Sequence, residues 1–144
     1  GWRVPSGDLL VSFDVVERAC VVAECADPLL GELAKALAAL PPRESFISRH
    51  FSPAVVSEKG RRAGEGRMYF SPANAGRIDA AREELEIWRK AGKVGEDSYY
   101  LLLAAIIEGA DRVANTAGVY ASCMKRWQPN AARAFGLSPW LPVK

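Results

Sequence analysis

The side chains that most often perform chemistry in proteins, histidine and cysteine, are few in this chain. His50 is its single histidine, and its cysteines are Cys20, Cys25 and Cys123. A thiol beside an imidazole can form a nucleophile pair, and clusters of these groups hold structural zinc. No CxxC spacing occurs, and an odd number of cysteines with one histidine argues against zinc and against a disulfide scaffold. We therefore expect no catalytic residue and no metal site here, and reduced cysteines in a cytoplasmic protein.

Positive charge is concentrated in two segments that could face a polyanion. Residues 43–67 carry a net charge of +3 and residues 111–144 a net charge of +4, within a total of +2 for the chain. Such clusters give sequence-independent affinity for nucleic acid, although excesses of this size also arise on ordinary solvated surfaces. The glycines of the first segment lie among arginines rather than between a strand and a helix, which favours a flexible loop over a phosphate cradle: Gly60, Gly64 and Gly66.

An asparagine and the aromatic and basic run that follows it are the remaining candidates. Asn115, with Gly118 soon after, interrupts a long apolar pattern at a cost in helix stability, so Asn115 either caps backbone groups or contacts a ligand. The residues that follow suit nucleic-acid contact: Tyr120, Lys125, Arg126 and Trp127. They also fit an ordinary helix end, with the cations favoured by the macrodipole and the tryptophan in the core. Chemistry alone leaves both interpretations open.

The elements that would position these residues are mostly helical. Apolar spacing predicts a helix over residues 8–25, with a strand as the alternative because the segment is rich in valine. A second helix begins at Asp27-Pro28 and ends at Pro41-Pro42. Its apolar stripe is expected to be Leu29, Leu33, Leu37 and Leu40. We expect a short ordered stretch over residues 46–51 and a mobile loop over residues 57–66.

The two longest helices are predicted in the second half of the chain. Ser71 and Pro72 are a good N-cap and first residue for one helix, and Gly92 is a plausible C-cap. One face of this helix is apolar, formed by Ile78, Ala81, Leu85 and Trp88, and another carries the charge pairs of Arg82, Glu86 and Lys90. The next helix begins near Glu96 and is apolar nearly all round, as a buried central helix would be. After the break at Asn115, residues 119–127 are expected to resume the helix, and residues 130–135 to form a last turn.

Ordered motifs in this region give the chain a resemblance to a known protein family. The family pattern NA-x-x-ID-x-x-R is matched by Asn74, Ala75, Ile78, Asp79 and Arg82. The pattern A-N-T-x-G-x-Y, followed by a lysine, is matched by Ala114, Asn115, Thr116, Gly118, Tyr120 and Lys125. Upstream, Phe46-Ile47, Phe51 and Ser52-Pro53 resemble the segment F-I-x-x-x-(Y/F)-S-P. In these motifs the chain resembles the D12-class N6-adenine-specific DNA methyltransferases, and the resemblance covers residues 44–135.

The resemblance implies a cofactor, a partner and a set of contact residues. The family uses S-adenosylmethionine as its cofactor. By this resemblance, residues 2–4 would be a strand of the cofactor-binding half, and Asp8 would be the acid near the cofactor's ribose. Pro5, Ser6 and Gly7, which lie between them, depart from the family pattern. Neither the cofactor loop F-x-G-x-G nor the D-P-P-Y that holds the flipped adenine occurs in the 144 residues. The implied partner is double-stranded DNA. The expected contacts are Arg61, Arg62 and Arg67 for phosphates, then Asn115, Tyr120, Lys125 and Arg126.

The expected fold is mainly α: a bundle-like helical insert, with a short strand remnant of an α/β S-adenosylmethionine-binding domain at the N-terminus. We expect residues 1–42 to belong to the cofactor-binding half, residues 43–67 to form a basic loop-rich segment, residues 68–135 the DNA-recognition-like insert and residues 136–144 an extended tail. On this view the chain is a middle piece of an enzyme and inactive alone; its oligomeric state is not indicated, and a dimer, if one formed, could result from truncation. The rival hypothesis is a non-catalytic helical module for DNA binding or protein interaction. No apolar run is long enough to span a membrane.

Overall fold

A computed structural model describes residues 29–53 and 67–138 of the chain. Within these ranges it contains four α-helices and no strand beyond an isolated bridge, which confirms the mainly α prediction. Several expectations lie outside the described residues: the helix over 8–25, the strand over 2–4, the loop over 57–66 and the tail from 139 onward.

The first helix, α1, covers Leu30–Ala38 and ends ahead of Pro41-Pro42, as predicted. The predicted apolar stripe is only partly correct: Leu37 is buried as expected, but the other buried residues of α1 are Leu30 and Ala34, whereas Leu29 is 62% exposed. Leucine at both 29 and 30 permits two overlapping helical faces. The face that includes the small Ala34 is the buried one, so leucine spacing alone identified Leu37 correctly but not the rest of the buried face.

The second helix, α2, covers Phe46–His50 and confirms the short ordered stretch. The third, α3, covers Pro72–Lys90, and the Asn74 amide N–H donates to Ser71 Oγ at 3.3 Å, as an N-cap requires. Its predicted apolar face is buried: Ile78, Ala81, Leu85 and Trp88 are at most 6% exposed. Beyond its end Gly92 adopts a φ of +71°, and Lys93 N–H donates to Trp88 O, which closes the helix as predicted.

The fourth helix, α4, covers Glu96–Val113. Its residues 101–106 are at most 4% exposed, which confirms the expected buried helix. The predicted resumption of helix over residues 119–127 is wrong: this segment consists of turns and bends, with an antiparallel bridge between Thr116 and Cys123 and a φ of +95° at Gly118. A 3-10 helix, Pro129–Ala132, replaces the predicted last turn.

The described residues form two compact units. The first unit contains residues 29–39, 81–109 and 136–138; the second contains residues 40–53, 67–80 and 110–135. These units cut across the sequential segments expected from the sequence, because α3 and α4 each contribute residues to both. Among the described residues, no helix is both long and apolar enough to span a membrane.

Candidate functional site

Asn115 lies at the centre of the second unit, and its side chain joins three segments of backbone. Its Nδ2 donates to Met68 O at 3.0 Å and to Met124 O at 3.2 Å, and its Oδ1 accepts the Gln128 N–H at 2.8 Å. Its own backbone N–H donates to Tyr69 O, and its carbonyl accepts the Met124 N–H. The residue is 0% exposed. Every polar atom of the amide is thus used to hold backbone, which explains the break after α4.

These bonds fix both ends of a short exposed loop. Met124 and Gln128 are anchored to Asn115, and between them lie Lys125, Arg126 and Trp127, which we call the Lys-Arg-Trp loop. All three are exposed, and Trp127 is 43% exposed. Hydration of an exposed indole ring is unfavourable. Tryptophan and arginine are also enriched among the residues that contribute most to binding at protein interfaces.

Arg67 lies next to the same clamp. It precedes Met68, whose carbonyl shares the Asn115 Nδ2 with Met124, and the Met68 N–H donates to Cys123 Sγ at 3.2 Å. The exposed guanidinium of Arg67 donates to His50 O at 3.3 Å. The backbone near Arg67 and the backbone near Lys125 are therefore adjacent, so three cations, Arg67, Lys125 and Arg126, belong to one region of this unit.

A second buried asparagine, Asn74, holds the backbone that follows Gln128 in the same way. Asn74 Nδ2 donates to Ala131 O at 3.1 Å and Arg133 O at 2.7 Å, and its Oδ1 accepts the Phe135 N–H at 2.9 Å. Asn74 is 3% exposed. The two buried amides together anchor residues 124–135, a stretch that is otherwise poor in regular structure and would be free to move without them.

Asp79, which lies in α3, is the third buried polar residue among the family motifs. Its carboxylate caps the N-terminus of α2. Its Oδ1 accepts the Ile47 N–H at 2.8 Å, and its Oδ2 accepts the N–H groups of Ser48 at 2.8 Å and Ser45 at 3.1 Å. These are donors that a helix N-terminus leaves without intrahelical partners. Burial raises the pKa of Asp79 above its ordinary value of 3.8, and the bonded N–H groups oppose the rise.

Aromatic rings extend the same region. Tyr69 and Tyr120 stack with centroids 6.3 Å apart, and Phe51 meets Tyr69 edge-on at 5.5 Å. Burial, and to a smaller extent the carboxylate of Asp111, raises the pKa of Tyr120 above its ordinary value of 10.0. Tyr120 therefore acts as a packing residue for the segment that leads into the Lys-Arg-Trp loop.

The expected contact residues fall into three groups. Arg67, Lys125 and Arg126 are exposed, whereas Asn115 is buried and Tyr120 is half-buried, with packing and bracing roles. Asp8, Arg61 and Arg62 lie outside the described residues. The bracing roles of Asn74 and Asp79 were missed by sequence reasoning; their places in the motif marked them, but nothing local shows that they are buried.

The described residues hold no group of three or more histidine, cysteine or carboxylate side chains suited to a metal ion. Cys123 is a half-buried thiol whose sulfur accepts a backbone N–H, as described above. His50 is exposed and its ring lies 4.8 Å from that of Phe46. Neither residue has surroundings that would orient it for nucleophilic attack.

Several curated proteins match the chain. It is 42% identical to the type II methyltransferase M.NlaIII of Neisseria lactamica over 111 residues, which are 77% of this chain and 31% of that protein. It is 33% identical to the type II methyltransferase M.FokI of Planomicrobium okeanokoites over 61% of this chain and 12% of that protein. It is 40% identical to the type II methyltransferase M.CviAII of Paramecium bursaria Chlorella virus 1 over 51% of this chain and 22% of that protein.

The chain thus spans about a third or less of the length of these curated relatives. No family model matches the sequence, and no solved structure gives a significant match. The similarity therefore rests on several curated relatives rather than on a family model.

Proposed function

Because this chain belongs with the restriction–modification type II methyltransferases, we propose that it is part of a DNA adenine-N6 methyltransferase and that this part helps to hold double-stranded DNA. The observation that carries the proposal is the clamp of Asn115. It supports a fixed surface of Lys125, Arg126 and the neighbouring Arg67, whose charges complement the phosphate backbone. Arg61 and Arg62 extend the same cationic run in sequence and are included in the proposal.

Asn115 and Tyr120 act in this proposal through the loop and not by touching DNA. The buried amide fixes the loop's two ends, and Tyr120, in the segment that leads into the loop, stacks on Tyr69. Preorganisation of this kind lowers the entropy lost when long cationic side chains meet phosphates. The motif asparagine is thus a positioning residue.

Methyl transfer belongs, in this proposal, to parts of the enzyme that these 144 residues do not contain. The cofactor would be S-adenosylmethionine, but neither F-x-G-x-G nor D-P-P-Y occurs in the chain. The described residues offer no glycine-rich cradle for such a cofactor. Asp8 stays the one candidate for contact with its ribose. The chain alone is expected to bind DNA and to transfer no methyl group.

The test is a titration of a fluorescently labelled duplex with the 144-residue chain at several salt concentrations. The five cations of the proposal, with one phosphate contact each, predict a slope of log K against log salt of about −4.5. A flat dependence, or no binding at low salt, would contradict the DNA-holding role.

A separate test addresses the enzyme. The encoding reading frame, read beyond these residues, should contain D-P-P-Y; its absence would favour the alternative of a non-catalytic DNA-binding or interaction module, which the missing motifs also permit.

A further inference from the structure

Beside the Lys-Arg-Trp loop lies a groove of about 460 Å³ within the second unit. Its walls carry one hydroxyl and otherwise consist of proline rings, methyl groups and an indole: Pro53, Ser71, Pro72, Trp127, Ala131 and Ala132. Trp127, at 43% exposed, offers part of its surface to whatever enters. The groove is therefore apolar, open to solvent and bordered by the one tryptophan of the loop.

The walls of this groove are held in place by the clamps already described. Trp127 precedes Gln128, which donates its N–H to Asn115, and Ala131 accepts a hydrogen bond from Asn74. Pro72 begins α3, and the preceding Ser71 caps it. A groove with fixed walls requires little ordering when a ligand binds, which favours a flat, rigid occupant over a flexible chain.

The charges that precede Trp127 in sequence favour one class of occupant. Lys125 and Arg126 are exposed and immediately precede Trp127. An apolar peptide or a second copy of the chain would have to bring its surface against these two exposed cations. A nucleotide carries both complements, a π face for the indole and a phosphate for the cations.

We propose that the groove receives one unstacked base of DNA, which stacks on Trp127 while its flanking phosphates contact Lys125 and Arg126. This proposal rests on the proposed DNA-holding function and deepens it, because it distinguishes a distorted or unpaired site from an intact duplex. The loop then has two parts: the cations give affinity for any duplex, and the tryptophan adds affinity where a base has left the stack.

The experiment compares two labelled duplexes of the same sequence, one fully paired and one with a central single-base bulge of 2-aminopurine. The chain should bind the bulged duplex about tenfold more tightly, as base–aromatic stacking predicts, and should quench the 2-aminopurine fluorescence. Trp127→Ala should bring the ratio of the two Kd values towards one. Trp127→Phe should keep most of the preference because a ring remains.

Two further variants separate the causes. Lys125→Ala with Arg126→Ala should weaken binding to both duplexes and leave their ratio largely intact. Ala132→Leu fills the groove from an exposed position that carries little risk to folding, and it should reduce the ratio as Trp127→Ala does.

Equal affinity of the unchanged chain for the two duplexes, or an unaltered ratio in both Trp127→Ala and Ala132→Leu, would overturn the base-stacking proposal alone. Failure to bind either duplex at low salt would overturn the DNA-holding function with it.

Discussion

The Oδ1 of Asn115 accepts the backbone N–H of Gln128 at 2.8 Å, across 13 positions of sequence. The same amide donates through Nδ2 to Met124 O, so one side chain holds both flanks of the Lys-Arg-Trp loop. This relationship links a buried polar residue to three exposed ones. It also shows how a motif residue with no access to solvent can fix the conformation of an exposed loop.

Replacement of Asn115 by alanine should lower the free energy of unfolding by about 3 kcal/mol, because two carbonyls and one N–H lose their buried partner. Chemical denaturation monitored by circular dichroism measures the loss. Asn115→Asp should be at least as destabilising, since a carboxylate cannot donate to the carbonyls of Met68 and Met124. Thr116→Ala is the control: it keeps the backbone bridge to Cys123 and should cost less than about 1 kcal/mol. Equal losses for Asn115→Ala and Thr116→Ala would contradict the clamp.

Asp79 should be needed for α2. Asp79→Asn keeps one acceptor oxygen but turns an amide N–H₂ towards backbone donors, so we expect a loss of about 2 kcal/mol in the free energy of unfolding. The protection of the Ile47 and Ser48 amides from hydrogen exchange should fall with it. The control is Asp97→Asn, an exposed residue in the first turn of α4, for which helix-dipole effects predict less than about 1 kcal/mol. Unchanged amide protection in Asp79→Asn would be inconsistent with the cap.

Two glycine-to-alanine substitutions should change the stability of the fold in opposite directions. At Gly76 an added Cβ would lie 2.7 Å from Pro42 Cβ and 3.3 Å from Arg43 O, so Gly76→Ala should destabilise by about 1–3 kcal/mol despite its helical position. At Gly31, within α1, an added Cβ would meet no atom of the surrounding structure within 4 Å. Gly31→Ala should therefore stabilise the fold by up to about 1 kcal/mol through helix propensity. Thermal melts compare the two. A stabilised Gly76→Ala variant would contradict the close approach of α3 to Pro42.

Alkaline pH should remove the stabilising contribution of Tyr99. Burial, together with the hydrogen bond to Glu86 and its charge, raises the pKa of Tyr99 to about 12 from an ordinary 10.0. A group whose folded-state pKa is raised contributes stability that is complete below the unfolded-state pKa and is lost as pH rises through the folded-state pKa. The difference in unfolding free energy between the unchanged chain and Tyr99→Phe should therefore be constant below pH 10 and decline between pH 10 and 12. A difference that does not vary over that window would contradict the raised pKa.

Local periodicity predicts the long helices well and the connecting segments poorly. The stripe Ile78, Ala81, Leu85 and Trp88 repeats at helical spacing and lies buried as expected. Residues 119–127 also allow a helical pattern, but the bonds that decide their conformation come from Asn115 and are not encoded in their own spacing. Long-range hydrogen bonds of this kind override propensity.

The sequence predicted which residues belong to the candidate site but not which of them are buried and which are exposed. The resemblance identified Asn74, Asp79 and Asn115 as motif residues, yet only the fold makes them buried anchors. The interpretation of Asn115 as a cap for backbone groups agrees with its hydrogen bonds. For Trp127, core and surface were equally consistent with the sequence, because its exposure follows from a loop that sequence reasoning treated as helix.

The most direct measurement of the central claim is the salt dependence of duplex binding for two matched charge deletions. Lys125→Ala with Arg126→Ala removes the cations of the clamped loop. Lys35→Ala with Lys90→Ala removes the same charge from exposed lysines of the first unit, where no phosphate contact is proposed. We predict that the loop variant weakens binding and makes the slope of log K against log salt shallower by about 2, one for each lost phosphate contact, while the control keeps the original slope. Equal slopes in the two variants would show that charge alone, and not the loop held by Asn115, accounts for binding.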